Sequence, residues 1–433
     1  MNTAASSSAP LNPPRKVFYG WWVLLALCAT TFYIAGAFWW GFSVFFPAIL
    51  EEFGWSRAQG SLALTIQGME AISVAAAIGY LVEKVGARRL MLFGLATTGL
   101  GLILLSMTNS LWWFYGAFIV ISVGTSAAAG IVAQSLVVKW FHRQRGRATT
   151  VLMLMPGLGA TLIIPIVTFA IEAIGWRETL VFIGIGLWVL AVPVLLVVRD
   201  SPESVGLEPD GAEPRASSEV GAAAIGAGEL EERGFTVGQA IRLRTFWLLA
   251  ACFTLWSLAG SSVQPHLFVA LTGIEMPRSQ AALVVSLVPA LSIIGRLGFG
   301  LLTDSVDQRY LLAVAAVTMA VGLAFLALLM ARPAATWLAF PFLAFFAVGF
   351  GGSIPTRIVI SGYYFGRQHF AAVFATLQAV SAWGGMVGPL FSGWVFDTTG
   401  SYLIAFALAG VLCVLSLPLT IMAANPQRRH SSL

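Results

Sequence analysis

Twelve apolar runs dominate this sequence, at approximately 18–50, 57–82, 89–108, 111–138, 148–172, 177–198, 245–271, 279–303, 310–330, 335–363, 370–396 and 401–423. About 20 apolar residues are enough to span the hydrocarbon core of a bilayer. Lipid offers no partner to a free backbone amide, so each run must be helical. Charged residues make up only 10% of the chain and hydrophobic ones 58%. A water-soluble domain carries roughly 25% charged residues, so there is too little charge here to cover a surface facing water. Small residues recur within the runs, as at Gly94, Gly99 and Gly101 or Gly384, Gly385 and Gly388. In lipid they let helix backbones approach closely. The expected fold class is an all-α membrane protein with twelve transmembrane helices.

The net charge is +5. A nucleic-acid partner is rejected, because the basic residues sit in short loops between apolar runs rather than along one stripe. With the N-terminus placed inside, 18 of the 24 Lys and Arg residues fall on the cytoplasmic side. They cluster at Lys84, Arg88 and Arg89, at Lys139, Arg143, Arg145 and Arg147, and in the linker after run six. Four fall outside: Arg57, Arg177, Arg278 and Arg332. This bias puts both termini in the cytoplasm. Cys28, Cys252 and Cys413 lie inside apolar runs with no metal-ligand spacing, and read as packing residues. The polar stretch Met1–Pro14 precedes a first run too long for a signal-peptide core, which reads as a retained span.

The organisation follows as an N-terminal tail (1–17), a six-helix bundle (18–198), a linker (199–244), a second six-helix bundle (245–423) and a C-terminal tail (424–433). The linker's Glu, Pro, Gly and Ala content reads as a mobile tether, and its end, Phe235–Arg244, as a short surface helix. The halves repeat. Gly79-Tyr-Leu-Val-Glu83-Lys-Val-Gly86-Ala-Arg88 closes run two, and Gly300-Leu-Leu-Thr-Asp304-Ser-Val-Asp-Gln-Arg309 closes run eight. Gly175-Trp-Arg before run six corresponds to Gly400-Ser-Tyr before run twelve, and Gly124 to Gly349. Six plus six spans with a central linker is the layout of parallel-repeat secondary transporters, in two pseudo-symmetric bundles.

At these residues the chain resembles the major facilitator superfamily, with Glu83 where its loop motif has Asp. The resemblance implies that Gly79, Glu83, Gly86 and Arg88, with Gly300, Asp304 and Arg309 in the second half, brace a cytoplasmic gate and do not touch substrate. A narrower resemblance is to the bacterial oxalate/formate antiporter and monocarboxylate porter branch. It rests on Tyr19-Gly-Trp-Trp, Phe53-Gly-Trp-Ser-Arg57, Trp140-Phe-x-x-x-Arg-Gly-x-Ala148, Gly295-Arg-Leu-Gly-Phe-Gly300 and Tyr364-Phe-Gly-Arg367. In that branch an arginine of span eight holds the substrate carboxylate, which maps onto Arg296. Two departures matter. No charge stands near Trp40, where animal monocarboxylate porters have a span-one lysine. Span eleven carries Gln378 and no basic residue, where the oxalate exchanger has a lysine. A single-carboxylate substrate fits these departures better than a dicarboxylate.

Three Asp, Glu, Lys or Arg side chains lie well within the runs: Glu70, Arg296 and Arg357. A charge in lipid costs about 2.5 kcal/mol or more, so it ordinarily faces a cavity or a partner. Arg296 shares a small or polar helix face with Pro289, Ser292, Gly300 and Thr303. A guanidinium grips a carboxylate with two parallel hydrogen bonds. The alternative is a structural arginine bound to an acid or to helix-end carbonyls. Arg357 shares its face with Ser353, Ser361 and Tyr364 and has the same two readings. Glu70 lies near the middle of span two, with Gln67 one turn away, and a desolvated carboxyl there suits proton loading. The alternative is a partner for one of the arginines or a neutral hydrogen-bonded acid. His266 follows Gln264-Pro265 and reads either as a proton relay or as a hydrogen-bonded residue beside a proline kink. Trp40 and Gln378 complete the candidate substrate contacts.

No nucleotide loop, zinc-protease motif or nucleophile elbow is present, and the glycines of Gly295–Gly300 lie inside a span rather than at a strand-to-helix turn. No cofactor, nucleotide or metal is expected, and the chain does not read as an enzyme. The expected function is secondary transport of a small organic monocarboxylate across the cytoplasmic membrane by alternating access and proton symport, with the small carboxylate, protons and the lipid bilayer as partners. The alternatives are a proton antiporter exporting a drug-like or other non-carboxylate compound, and a membrane sensor on the same fold.

Overall fold

A computed structural model describes residues 18–141, 144–208, 235–303, 305–366, 370–424 and 426, leaving aside the side chains of 71, 72, 74–77, 79, 80, 83, 145 and 371. Most of the linker, both tails, Asp304 and Arg367 lie outside these residues.

The runs fold as helices. They are α1 (Gly20–Phe53), α2 (Arg57–Val85), α3 (Ala87–Ser106), α4 (Leu111–Trp140), α5 (Arg145–Ile174) and α6 (Trp176–Val197). In the second half come α7 (Arg244–Val263, resumed as Leu267–Gly273), α8 (Arg278–Leu302), α9 (Gln308–Ala331), α10 (Thr336–Phe365), α11 (Phe370–Thr399) and α12 (Leu403–Met422). Eleven of these segments are long and apolar enough to cross a membrane. The remaining one, α2, has 29 residues, about 43 Å of helix, and packs among the others against α4 and α11. The end of the linker forms a single helical turn, Val237–Ala240, capped by Thr236.

Two bundles are built alike. In the first, α3 packs on α4 and α6, and α1 on α5; in the second, α9 packs on α10 and α12, and α7 on α11. Glycine makes the close crossings. A Cβ on Gly159 would lie 2.0 Å from the Phe32 carbonyl across the α1–α5 contact, and one on Gly384 would lie 2.1 Å from the Thr254 carbonyl across α7–α11. Gly124 sits against Thr98 and Gly349 against Thr318 and Met319, so the two glycines matched in sequence occupy matching α3–α4 and α9–α10 crossings. Gly175 (φ +90°) and Gly400 (φ +71°) turn the chain into α6 and α12. That left-handed backbone is open to glycine and strained for other residues.

The face carrying the α2–α3 and α4–α5 turns is called here the basic face, and the opposite one the far face. Across the halves, α2 packs on α11 and α5 on α8. Cross-half hydrogen bonds of α2 cluster near the far face. Asp397 of α11 accepts from the amides of Arg57 (2.9 Å) and Ala58 (2.8 Å), capping the first turn of α2. Arg57 donates to Tyr402 Oη at 3.1 Å and lies 3.9 Å from the Phe396 ring centroid. About two turns deeper, Thr65 donates to the Met386 carbonyl at 2.8 Å.

Candidate functional site

Three helix interruptions meet around one large space. In α1, residues Ala35–Trp39 form a π-turn. In α4 the helix breaks at Ala129 and Gly130, where Gly130 has φ +59°. In α7 it breaks at Gln264–His266, where Pro265 has no amide to continue it. Irregular backbone at membrane depth is tolerated where it is buried in protein or lines a cavity. All three breaks border a cavity of about 750 Å³ between α1, α2, α4, α7 and α11. The π-turn leaves the Trp39 carbonyl to accept from Gln264 Nε2 at 3.2 Å, which joins α1 to α7 across the halves.

The cavity wall carries Phe38, Trp39, Phe42 and Ser43 from α1, Gln67 and Glu70 from α2, Thr125 and Ser126 from α4, Ser261, Gln264 and Pro265 from α7, and Gln378, Gly385, Met386 and Pro389 from α11. Ser126 Oγ donates to Glu70 Oε2 at 3.2 Å. Glu70 Oε1 is buried and has no hydrogen-bond partner among the described residues. Among the lining residues there is no Lys, Arg or His.

The candidate residues therefore separate. Glu70 and Gln378 are brought together on the cavity wall. Trp40 lies beside it in a separate space of about 10 Å³, edge-on to Phe350 at 6.5 Å. Arg296 is not among the lining residues in this conformation. It donates through Nη1 to the Met153 carbonyl of α5 at 2.9 Å, while its Nε is buried without a partner among the described residues. Arg357 donates weakly to Ser353, through Nε to the carbonyl at 3.3 Å and Nη2 to Oγ at 3.4 Å. Its guanidinium lies 5.7 Å and 6.0 Å from the ring centroids of Phe253 and Trp256. Among the described residues the salt bridges are Arg177–Glu52 and Arg309–Asp307, so neither arginine is paired with an acid.

His266 is fully buried and bridges the halves. Its Nε2 donates to the Pro389 carbonyl at 2.8 Å, with Ser61 Oγ of α2 at 3.2 Å from the same nitrogen. Nδ1 then accepts from Tyr402 Oη at 2.9 Å, which itself accepts from Arg57. Every ring nitrogen of a neutral imidazole is satisfied here.

At the expected gate, the Gly86 backbone (φ +91°) lets Asp200 approach, and the Arg88 amide donates to Asp200 Oδ1 at 2.8 Å. The Arg88 guanidinium donates to the Leu195 carbonyl of α6. Gly79 lies within α2, while the Glu83 side chain and Asp304 fall outside the described residues. In the second half, Gly300 faces open space and Arg309 pairs with Asp307 at 2.9 Å.

Sequence reasoning missed Thr125 and Ser126 as lining residues, and Asp397 as a cross-half cap. The available signals were Gly124 and Gly130 flanking the first two; Asp397 carried none.

The chain matches the sequence profile of the Major Facilitator Superfamily over residues 26–358 and 271–432. It is 28% identical over 352 residues to monocarboxylate transporter 12 of Rattus norvegicus, covering 76% of this chain and 69% of that one. It is 22% identical over 404 residues to the oxalate:formate antiporter of Oxalobacter formigenes, covering 90% of each. Its fold is similar to a crystal structure of a bacterial homolog of the human lysosomal transporter Spinster in an inward-facing and occupied conformation. That similarity has a TM-score of 0.72 at 16% identity and covers 94% of this chain and 97% of the other. The profile match spans most of the chain and the fold agrees with it: this multi-pass membrane protein belongs to the Major Facilitator Superfamily of transporters.

Proposed function

We propose that this transporter moves a small organic monocarboxylate by alternating access, coupled to protons in symport. The carrying observation is the pair of arginines inside the membrane, Arg296 and Arg357, with no acid partner among the described residues. An interior cation is costly unless answered by a counter-charge, and a substrate carboxylate supplies one. A guanidinium binds that group with two parallel hydrogen bonds and keeps its charge. The names of the relatives above support the same substrate class.

The lysine and arginine bias makes the basic face cytoplasmic, in the inner membrane, with both termini inside. The cross-half contacts near the far face then correspond to a carrier closed outside. The bundles 18–198 and 245–423 rock about each other, tethered by 199–244. Gly79, Glu83, Gly86 and Arg88, with Gly300, Asp304 and Arg309, brace the cytoplasmic gate. Glu70 is the proton carrier, and His266 serves the coupling through the outer closure. Gln378 and Trp40 flank the substrate.

The test is flux of radiolabelled monocarboxylates into proteoliposomes, with and without a pH gradient. Arg296→Gln and Arg357→Gln, purified with unchanged melting temperature, are expected to lower uptake at least tenfold. Uptake at the wild-type rate in both variants would remove the arginines from the anion site.

A further inference from the structure

The cavity wall is unusual in its balance of hydrogen-bonding groups. Its single formal charge is the Glu70 carboxylate, one oxygen of which is buried without a partner. Two prolines add acceptors. Pro265 has no amide to offer the Ser261 carbonyl, and Pro389 none to offer that of Gly385, four residues earlier in each helix. Ser261 and Gly385 both line the cavity. They stand on adjoining walls, since Ser261 Oγ donates to the Gly384 carbonyl at 3.4 Å. Phe38, Trp39 and Phe42 complete this side with aromatic rings.

We infer that the cavity takes the ammonium end of an amino-bearing carboxylate, with Glu70 as its counter-ion. An ammonium has three donors and no acceptor, the complement of a carboxylate and two released carbonyls. Aromatic rings attract such a cation further. A hydroxyl brings one donor and no charge, and leaves the carboxylate unanswered. The plain monocarboxylate leaves it unanswered too, except when Glu70 has taken up the coupling proton. The inference deepens the monocarboxylate reading and rests on it only for the anionic end, held by the arginines. The transported molecule then carries a positive and a negative end.

The experiment measures competition by butyrate, 4-aminobutyrate, 4-hydroxybutyrate and butylamine in a thermal-shift assay on the purified full-length chain. A compound that binds only the folded state raises the melting temperature by mass action. In the wild type, 4-aminobutyrate is expected to bind at least tenfold tighter than butyrate and 4-hydroxybutyrate. Glu70→Gln is expected to bring the ratio of 4-aminobutyrate to butyrate close to one, and Glu70→Asp to keep part of it. Equal affinity of 4-aminobutyrate and butyrate in the wild type would overturn the inference without need of any variant. So would a preference that survives Glu70→Gln. Binding of butylamine alone, lost in Glu70→Gln, would keep the ammonium site and overturn the monocarboxylate reading.

Discussion

Asp397 and Arg57 are 340 residues apart in sequence, yet one carboxylate of the second half closes the first turn of a helix in the first. The first four amides of a helix have no partner within it, and a carboxylate at that end also answers the helix dipole. Loss of an N-terminal cap costs about 0.5–2 kcal/mol, and one to two kcal/mol shifts a two-state ratio roughly 5- to 30-fold. Asp397→Ala is therefore expected to raise the population open at the far face. The measurement is labelling of Leu64→Cys, on the α2 wall of the cavity, by an impermeant maleimide applied to the far face. The native cysteines are all buried and leave the background low. An unchanged labelling rate would show that the cap does not hold the closure. The site was legible where a polar group interrupts an apolar run, as at Glu70 and Gln378. It was not legible at Thr125 and Ser126, small residues within an apolar run, nor at Asp397, whose partner is set only by the packing of the two halves.

At the scale of helices, the crossings rest on glycine. The Gly159 position leaves no room for a side chain beside the Phe32 carbonyl, whereas Gly116 has nothing within 4 Å. Overpacking a tight contact costs about 1–3 kcal/mol. Gly159→Val is expected to lower the melting temperature and yield well beyond Gly116→Val, which carries the same change in helix propensity. Equal losses would place the effect outside the α1–α5 crossing. The helices themselves could be read from the chain, because twenty apolar residues in lipid have one backbone solution. The run at 57–82 became Arg57–Val85 and that at 18–50 became Gly20–Phe53. Pro265 signalled the break inside α7, but those inside α1 and α4 were hidden, because a π-turn or a two-residue kink leaves the apolar pattern nearly intact.

For the molecule as a whole, two bodies meet at the far face along α2 and α11 and enclose the cavity beneath that contact. Joining Thr65→Cys to Met386→Cys with a short bifunctional reagent that forms disulfides is expected to stop transport, and reduction to restore it. Undiminished flux through the joined protein would mean that the far face need not part. The capped helix, the buried histidine and the ring-stacked arginine thus act together as a clasp drawn from both halves. An occupied carrier can offset the loss of that clasp with new contacts to its cargo as the other end closes, but an empty carrier has nothing to set against it. On the proposed transport reading, vacant carriers are accordingly expected to wait with their mouths toward one compartment. Traffic is then expected to run faster when cargo is present on both sides, with the swapping of one molecule for another outpacing one-way delivery.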